Sequence, residues 1–324
     1  MKIFCLKSLR ALALALLFVP LAASAKWPDD GPITLVVPWA PGGSTDILAR
    51  LLSKKLTQKL GQSVIVENRS GASGNIGSQL VARAKPDGYT LLVGSMSTHT
   101  MNQALYKHMP FDGVKDFTPI AELALVTNTM VINASLPVDS VAGFIQYAKA
   151  RPGQLAFASA GLGSTNYLSA AMFEKDTGIK MTHVPYRGGA PAVLDTVADR
   201  TQVLFSAATQ TLPYVKSGKL KLLAVTEDKR STLFPKVPTV GETIPGYELA
   251  VWYGFFGPRG MDPALVQRLN RVTNEILAQP DVIQAMNHIG VVLVHTTPEQ
   301  FSGILKRDAD RYGKLIRELG VTIE

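Results

Sequence analysis

The sequence predicts an α/β protein of two lobes, with mainly parallel sheets and a hinge of two chain segments. Short β-branched runs alternate with helical stretches of roughly 10 to 15 residues along most of the chain, the pattern of βαβ units. A length of 324 residues suits one large domain or two lobes. The alternation is then broken by Ser231 to Gly246, where Pro235, Pro238 and Pro245 exclude a regular element and mark a crossing between lobes.

The first 25 residues stand apart from this plan. Lys2, Lys7 and Arg10, with no acid among them, precede the apolar run Ala11 to Val19 and the cleavage pattern Ala23-Ser24-Ala25. A basic start, a short apolar core and an A-x-A site make a secretory signal, and the run is too short to span a hydrocarbon layer of about 30 Å as a helix. Its removal takes away Cys5 and three basic residues, so the formal charge falls from +8 to +5 over 299 residues. The mature chain is cysteine-free, which excludes disulfides and cysteine-held metals and suits an oxidising compartment. No further stretch is long and apolar enough for a membrane helix, so a soluble periplasmic protein is expected.

In the mature chain Gly31-Pro32 leads into Ile33 to Val37, a continuous apolar run that suits a strand buried on both faces. Pro38 to Gly43 forms a loop, and a helix runs from Ser44 to about Leu60 with Ile47, Leu48, Leu51, Leu52 and Leu56 on one face, Ser44 or Thr45 as N-cap and Gly61 as its stop. Val64 to Val66 is the next strand, Gly74-Asn75-Ile76-Gly77 opens a helix to Lys85, and Tyr89 to Val93 is a third strand after the Pro86-Asp87-Gly88 turn. Thr129 to Asn133 and Leu155 to Ala158 read as strands around a helix from Val141 to Ala150. Then come a helix from Ser164 to Asp176, a strand at Met181 to Val184, a helix from Ala190 to Asp199, and strands at Gln202 to Phe205 and Leu220 to Val225. After the proline excursion Leu249 to Phe256 is extended, and helices follow at Pro263 to Ala278 and Pro298 to Leu319. Lobe one is expected to comprise residues 26–126 plus 251–324, and lobe two residues 127–250.

Composition and motifs narrow the function. With 46% hydrophobic and 18% charged residues the chain is neither disordered, collagenous nor a coiled coil. Its basic residues are dispersed: Lys306, Arg307, Arg311, Lys314 and Arg317 interleave with Asp308, Asp310 and Glu318, as on a solvated helix face, so no nucleic-acid partner is expected. There is no G-x-S-x-G elbow, no G-K-[ST] phosphate loop and no H-E-x-x-H helix, and the five histidines are scattered without ligand spacing. No catalytic set, metal or cofactor is expected.

What recurs is a glycine-rich loop between strand and helix: Pro41-Gly42-Gly43-Ser44, Ser73-Gly74-Asn75, Gly161 to Asn166, and Arg187-Gly188-Gly189. Glycine lets backbone approach a ligand, and a following helix offers unpaired N–H groups at its positive end. One helix terminus contributes only about 0.3 to 2 kcal/mol, whereas micromolar binding needs about 8 kcal/mol, so donors from two lobes closing on one small anion are required.

The run of motifs Val36 to Asp46, Val66-Glu67-Asn68-Arg69, Gly74 to Gly77, Pro86 to Thr90, Val114-Lys115-Asp116-Phe117, Lys149 to Gly153 and Val184 to Gly188 resembles the Bug (TctC-like) family over essentially the whole mature chain. These are periplasmic solute receptors of tripartite tricarboxylate transporters. The resemblance implies a two-lobed, Venus-flytrap binding protein of type II-like fold that closes on a small carboxylate and delivers it to membrane permease subunits as a monomer. By position, ligand contacts would come from Trp39, Ala40, Pro41, Gly42, Gly43, Ser44 and Asp46, with Ser95 and Thr98 adding hydroxyls. From lobe two, Ser159, Gly163, Ser164, Thr165, Asn166, Tyr186 and Ser206 would contribute. Family members usually have His where this chain has Tyr167, and Asp where it has Ser206; loss of that charge should favour a more acidic ligand. Docking of the closed form on a membrane sensor kinase is an alternative output. An exported hydrolase or isomerase using Asp46, His99 or Tyr186 is the remote one.

Overall fold

The computed structural model describes residues 27–186 and 188–323; the expected signal segment, residues 1–25, lies outside the described residues. One sheet contains β1 (Ile33–Val37), β2 (Val64–Asn68), β3 (Thr90–Ser95), β4 (Phe117–Val126), β10 (Val251–Pro258) and β11 (Val291–Leu293), in the order β11-β4-β10-β3-β1-β2. The other contains β5 (Asn128–Asn133), β6 (Ala156–Ser159), β7 (Thr182–Pro185), β8 (Val203–Ala207) and β9 (Leu220–Val225), in the order β7-β6-β8-β5-β9. The helices are α1 (Ser44–Leu60), α2 (Asn75–Ala82), α3 (Asn102–Leu105), α4 (Val141–Lys149), α5 (Thr165–Thr177), α6 (Gly189–Val197), α7 (Ala208–Lys216), α8 (Pro263–Leu277), α9 (Pro280–His288) and α10 (Pro298–Leu319).

Both sheets are mixed, which corrects the expectation of mainly parallel sheets. β1 runs parallel to β2 and β3, and β6 to β7 and β8. β10 is antiparallel to β3 and β4, β11 is antiparallel to β4, and β5 is antiparallel to β8 and β9. The cause is the hinge. β1, β3 and β4 finish at the cleft end, whereas the short β11, after α9, starts there opposite Val126 and runs back along β4. β5 and β10 continue directly from the other lobe, so they enter at the cleft end and run away from it.

The sequence reading missed β4, because Pro119 lies inside it. The structure tolerates that proline since β11 pairs only with Ala124 to Val126, leaving the outer edge of β4 open where Pro119 sits. The crossing segments are tied together by backbone bonds from Thr226 N to Asn128 O (2.9 Å) and Leu249 N to Thr226 O (2.8 Å). Asn128 Nδ2 also donates to Ser169 Oγ and Thr226 Oγ1, each at 3.1 Å.

Lobe one buries a carboxyl. Glu122, 5% exposed on β4, is pushed up to about 7 by burial and by the neighbouring Asp308, with Arg307 opposing. Asp308 itself accepts from Trp252 Nε1 (2.8 Å) and Arg307 Nε (2.9 Å). A carboxyl whose folded pKa is raised favours the fold while it is protonated, and that advantage is lost as pH rises from about 4.5 through 7. The difference amounts to about 3 kcal/mol. Glu122→Gln is therefore expected to raise the thermal midpoint by several degrees at pH 8 and hardly at pH 4.5; an equal change at both pH values in thermal denaturation would refute the assignment.

Candidate ligand cleft

The first loop follows β1 at the cleft end of its sheet. Gly42, at φ +85°, donates its N–H to Asp46 Oδ2 (3.0 Å), and Arg50 Nε donates to the same oxygen (2.9 Å). Asn68 Nδ2 donates to Asp46 Oδ1 (2.9 Å) and to Trp39 O (3.1 Å). Burial works against the Asp46 charge, but the bonds from Arg50, Gly42 and Asn68 outweigh it and hold the carboxyl below its ordinary value. Both oxygens of Asp46 thus have partners inside lobe one, and the residue shapes the loop instead of offering a charge to the cleft.

The N-cap of α1 is Gly43, not Ser44 or Thr45, and no side chain caps it. Ser44 Oγ lies 2.7 Å from the Tyr253 hydroxyl on β10 instead. The first turn of α1 therefore keeps its N–H groups free of side-chain caps, next to exposed Ala40, Pro41 and Gly42. Trp39 is half-buried against the Gly74 loop, where a Cβ added to Gly74 would lie 3.3 Å from its ring.

Ser95 ends β3, and Thr98 lies in the π-helical turn Ser97–Met101 that follows, which the sequence reading missed. Ser95 Oγ pairs with Ser97 Oγ (2.9 Å), and Thr98 Oγ1 donates to Ser95 O (2.9 Å). Both are buried, and the Thr98 methyl group packs closely on Gly74. His99 is enclosed beside them, stacked on Phe256 with centroids 3.9 Å apart, and burial lowers its pKa to about 3, so it is neutral.

In lobe two, Ser164 caps α5, accepting from Tyr167 N (3.3 Å) and donating to Gly161 O (2.6 Å). Thr165 is the first residue of α5, and Asn166 Nδ2 donates to Phe205 O (2.6 Å), fixing that helix to β8. Ser159 ends β6 with Oγ 2.7 Å from His183 Nε2 and accepts from Gly161 N (3.0 Å). The Tyr186 hydroxyl donates to Asp195 Oδ2 (2.7 Å); burial and that bond push it up to about 12, so it stays protonated. Ser206, 1% exposed, donates to Gln210 Oε1 (2.9 Å), and Gly189 packs directly on Gln210.

The lobes meet at Gly163. A Cβ there would lie 2.7 Å from Ser73 Oγ, 2.8 Å from Ser73 Cβ and 3.2 Å from Asn102 Oδ1, all on lobe one. Ser73, Asn102, His183 and Gln210 were not singled out as site residues from the sequence. Ser73 was within reach, since it lies in one of the glycine loops; Gln210 stands one helical turn after Ser206. Among the described residues no group of three or more His, Cys, Asp or Glu is placed to hold a metal ion, and no helix is long and apolar enough to cross a membrane.

Comparison with known proteins agrees with this architecture. Residues 48–321 match the family model described as the tripartite tricarboxylate transporter family receptor, TctC. The protein BugT of Bordetella pertussis is 36% identical over 295 residues, covering 90% of this chain and 90% of its own. A protein of R. palustris solved with adipate is 36% identical with a TM-score of 0.87, covering 92% of this chain and 100% of its own. MatC from Rhodopseudomonas palustris, solved with bound malate, is 30% identical with a TM-score of 0.82, covering 89% and 99%. With a family model over most of its length and relatives matched end to end, the chain belongs to the tripartite tricarboxylate transporter receptor (TctC) family, whose members are periplasmic solute-binding proteins and not enzymes.

Proposed function

We propose that this protein captures a small dicarboxylate or related carboxylate between its lobes and presents the closed complex, as a monomer, to the permease subunits of a tripartite tricarboxylate transporter. The observation that carries the reading is a glycine loop opening a helix in each lobe, Gly42 to Ser44 before α1 and Gly161 to Ser164 before α5, with Gly163 packed against Ser73 and Asn102 across the lobes. Backbone N–H groups from the first turns of α1 and α5 hold the carboxylate ends, with Trp39 as one wall. Hydroxyls of Ser159 and Thr165 add directional donors, and Ser206, whose proton goes to Gln210 Oε1, holds the Gln210 amide in place. Exclusion of water on closure strengthens each of these contacts. Relatives solved with adipate and malate make linear dicarboxylates the first ligands to try.

Thermal denaturation with malate, adipate, succinate, citrate and aspartate, followed by calorimetry, tests the reading. A true ligand at 100 times its dissociation constant adds about 2.7 kcal/mol of stability. No shift with any of the five would sink the carboxylate assignment.

A further inference from the structure

Ser159 and His183 form a pair whose chemistry exceeds loop shaping. Ser159 is fully buried at the end of β6. His183 stands on the adjacent strand β7, in register with Phe157. Its ring packs against Phe157 (centroids 4.8 Å, 20°) and, on an adjoining side, Tyr167 (4.8 Å, 55°), with Nε2 2.7 Å from Ser159 Oγ. A serine hydroxyl has one proton and two lone pairs. Gly161 N–H already occupies one lone pair. If Nε2 is bare, it draws the serine proton toward itself and away from the loop. If Nε2 carries hydrogen, it fills the second lone pair, and the serine proton turns toward the Gly161 to Ser164 loop.

Resting on the function proposed above, we propose that His183 is a positioning residue that sets the direction of the Ser159 O–H, so that protonation of His183 turns this donor onto the ligand carboxylate. The imidazolium has hydrogen on both nitrogens, so only the second arrangement survives in it. The groups facing the ring are Phe157 and Ser159 from β6 and Tyr167 from α5. The charged groups Glu174 on α5 and Lys180 before β7 act on each other. Burial alone lowers the His183 pKa, so the neutral ring prevails at pH 7 and above. Binding a carboxylate to the Ser159 proton favours the charged ring, so affinity rises as pH falls.

Calorimetry with malate from pH 5.5 to 8 tests this in the wild type, His183→Gln and His183→Phe. The wild type is expected to bind about tenfold more tightly at pH 5.5 than at pH 8, the factor expected from one hydrogen bond gained. His183→Gln, with an amide N–H that can donate at every pH, keeps tight binding but loses the slope relative to wild type. His183→Phe binds weakly throughout. The same slope in wild type and His183→Gln, or a flat wild-type profile, overturns the role of His183 while leaving the receptor reading intact. Failure of malate and of adipate to bind at any pH overturns both.

Discussion

Gly163→Ala is expected to weaken carboxylate binding by roughly 10- to 100-fold while leaving the ligand-free thermal midpoint near that of the wild type. Overpacking costs of about 1 to 3 kcal/mol set that range. The new methyl group would lie 2.7 Å from Ser73 Oγ and 2.8 Å from Ser73 Cβ, closer than real side chains approach. Lobe one has little room to yield. Ser73 Oγ accepts from the Tyr106 hydroxyl (3.0 Å), and Asn102 Nδ2 donates to Ser73 O (3.0 Å) and Asn75 Oδ1 (2.7 Å). Ala72 and Ser73 already sit at φ +46° and +53°, a left-handed conformation costly for residues with a Cβ. Because the clash is between lobes, opening relieves it, and the penalty falls on closure instead of folding.

The second variant makes this test decisive. Ser73→Gly removes both clashing atoms and suits the left-handed backbone, so the double variant is expected to recover most of the lost affinity. Calorimetry on the four proteins reads the cycle directly. Should the double variant bind no better than Gly163→Ala alone, the cross-lobe contact is not what limits closure.

How much of this was legible beforehand differs from element to element. α1 and α10 were readable to the residue at most ends, because local signals set them: Gly61 is left-handed as a stop, and Pro298 opens α10 inside a capping box made by Thr297 and Gln300. The direction of β5 and β10 was not readable, since it depends on which lobe the chain has just left. Asp46 shows the same limit within the site. Its position in the loop was plain, but Asn68, which claims one of its oxygens, lies on another strand 22 residues away. The Ser159 and His183 pair is likewise created by the pairing of β6 with β7, across 24 residues. Periodicity reports which face a residue occupies; it does not report which partner the sheet brings alongside.

Ser206→Asp is expected to lower affinity for malate by roughly 100-fold and to affect aspartate less. Ser206 is enclosed at the end of β8, where its hydroxyl donates to Gln210 Oε1, so an added carboxylate would be shielded from water. Two unit charges about 6 Å apart at an effective dielectric of about 20 repel by about 3 kcal/mol, which is the expected loss for a dianionic ligand. An amino acid ligand offsets part of this, because its ammonium group can face the new carboxylate. Ser206→Asn separates charge from size: it matches aspartate in shape, carries no charge, and is expected to stay within a few-fold of wild type for malate. Calorimetry on the three proteins with both ligands decides the matter. If the Asn and Asp variants lose malate equally, volume at this position governs binding, and the missing negative charge does not set the preference for an acidic ligand.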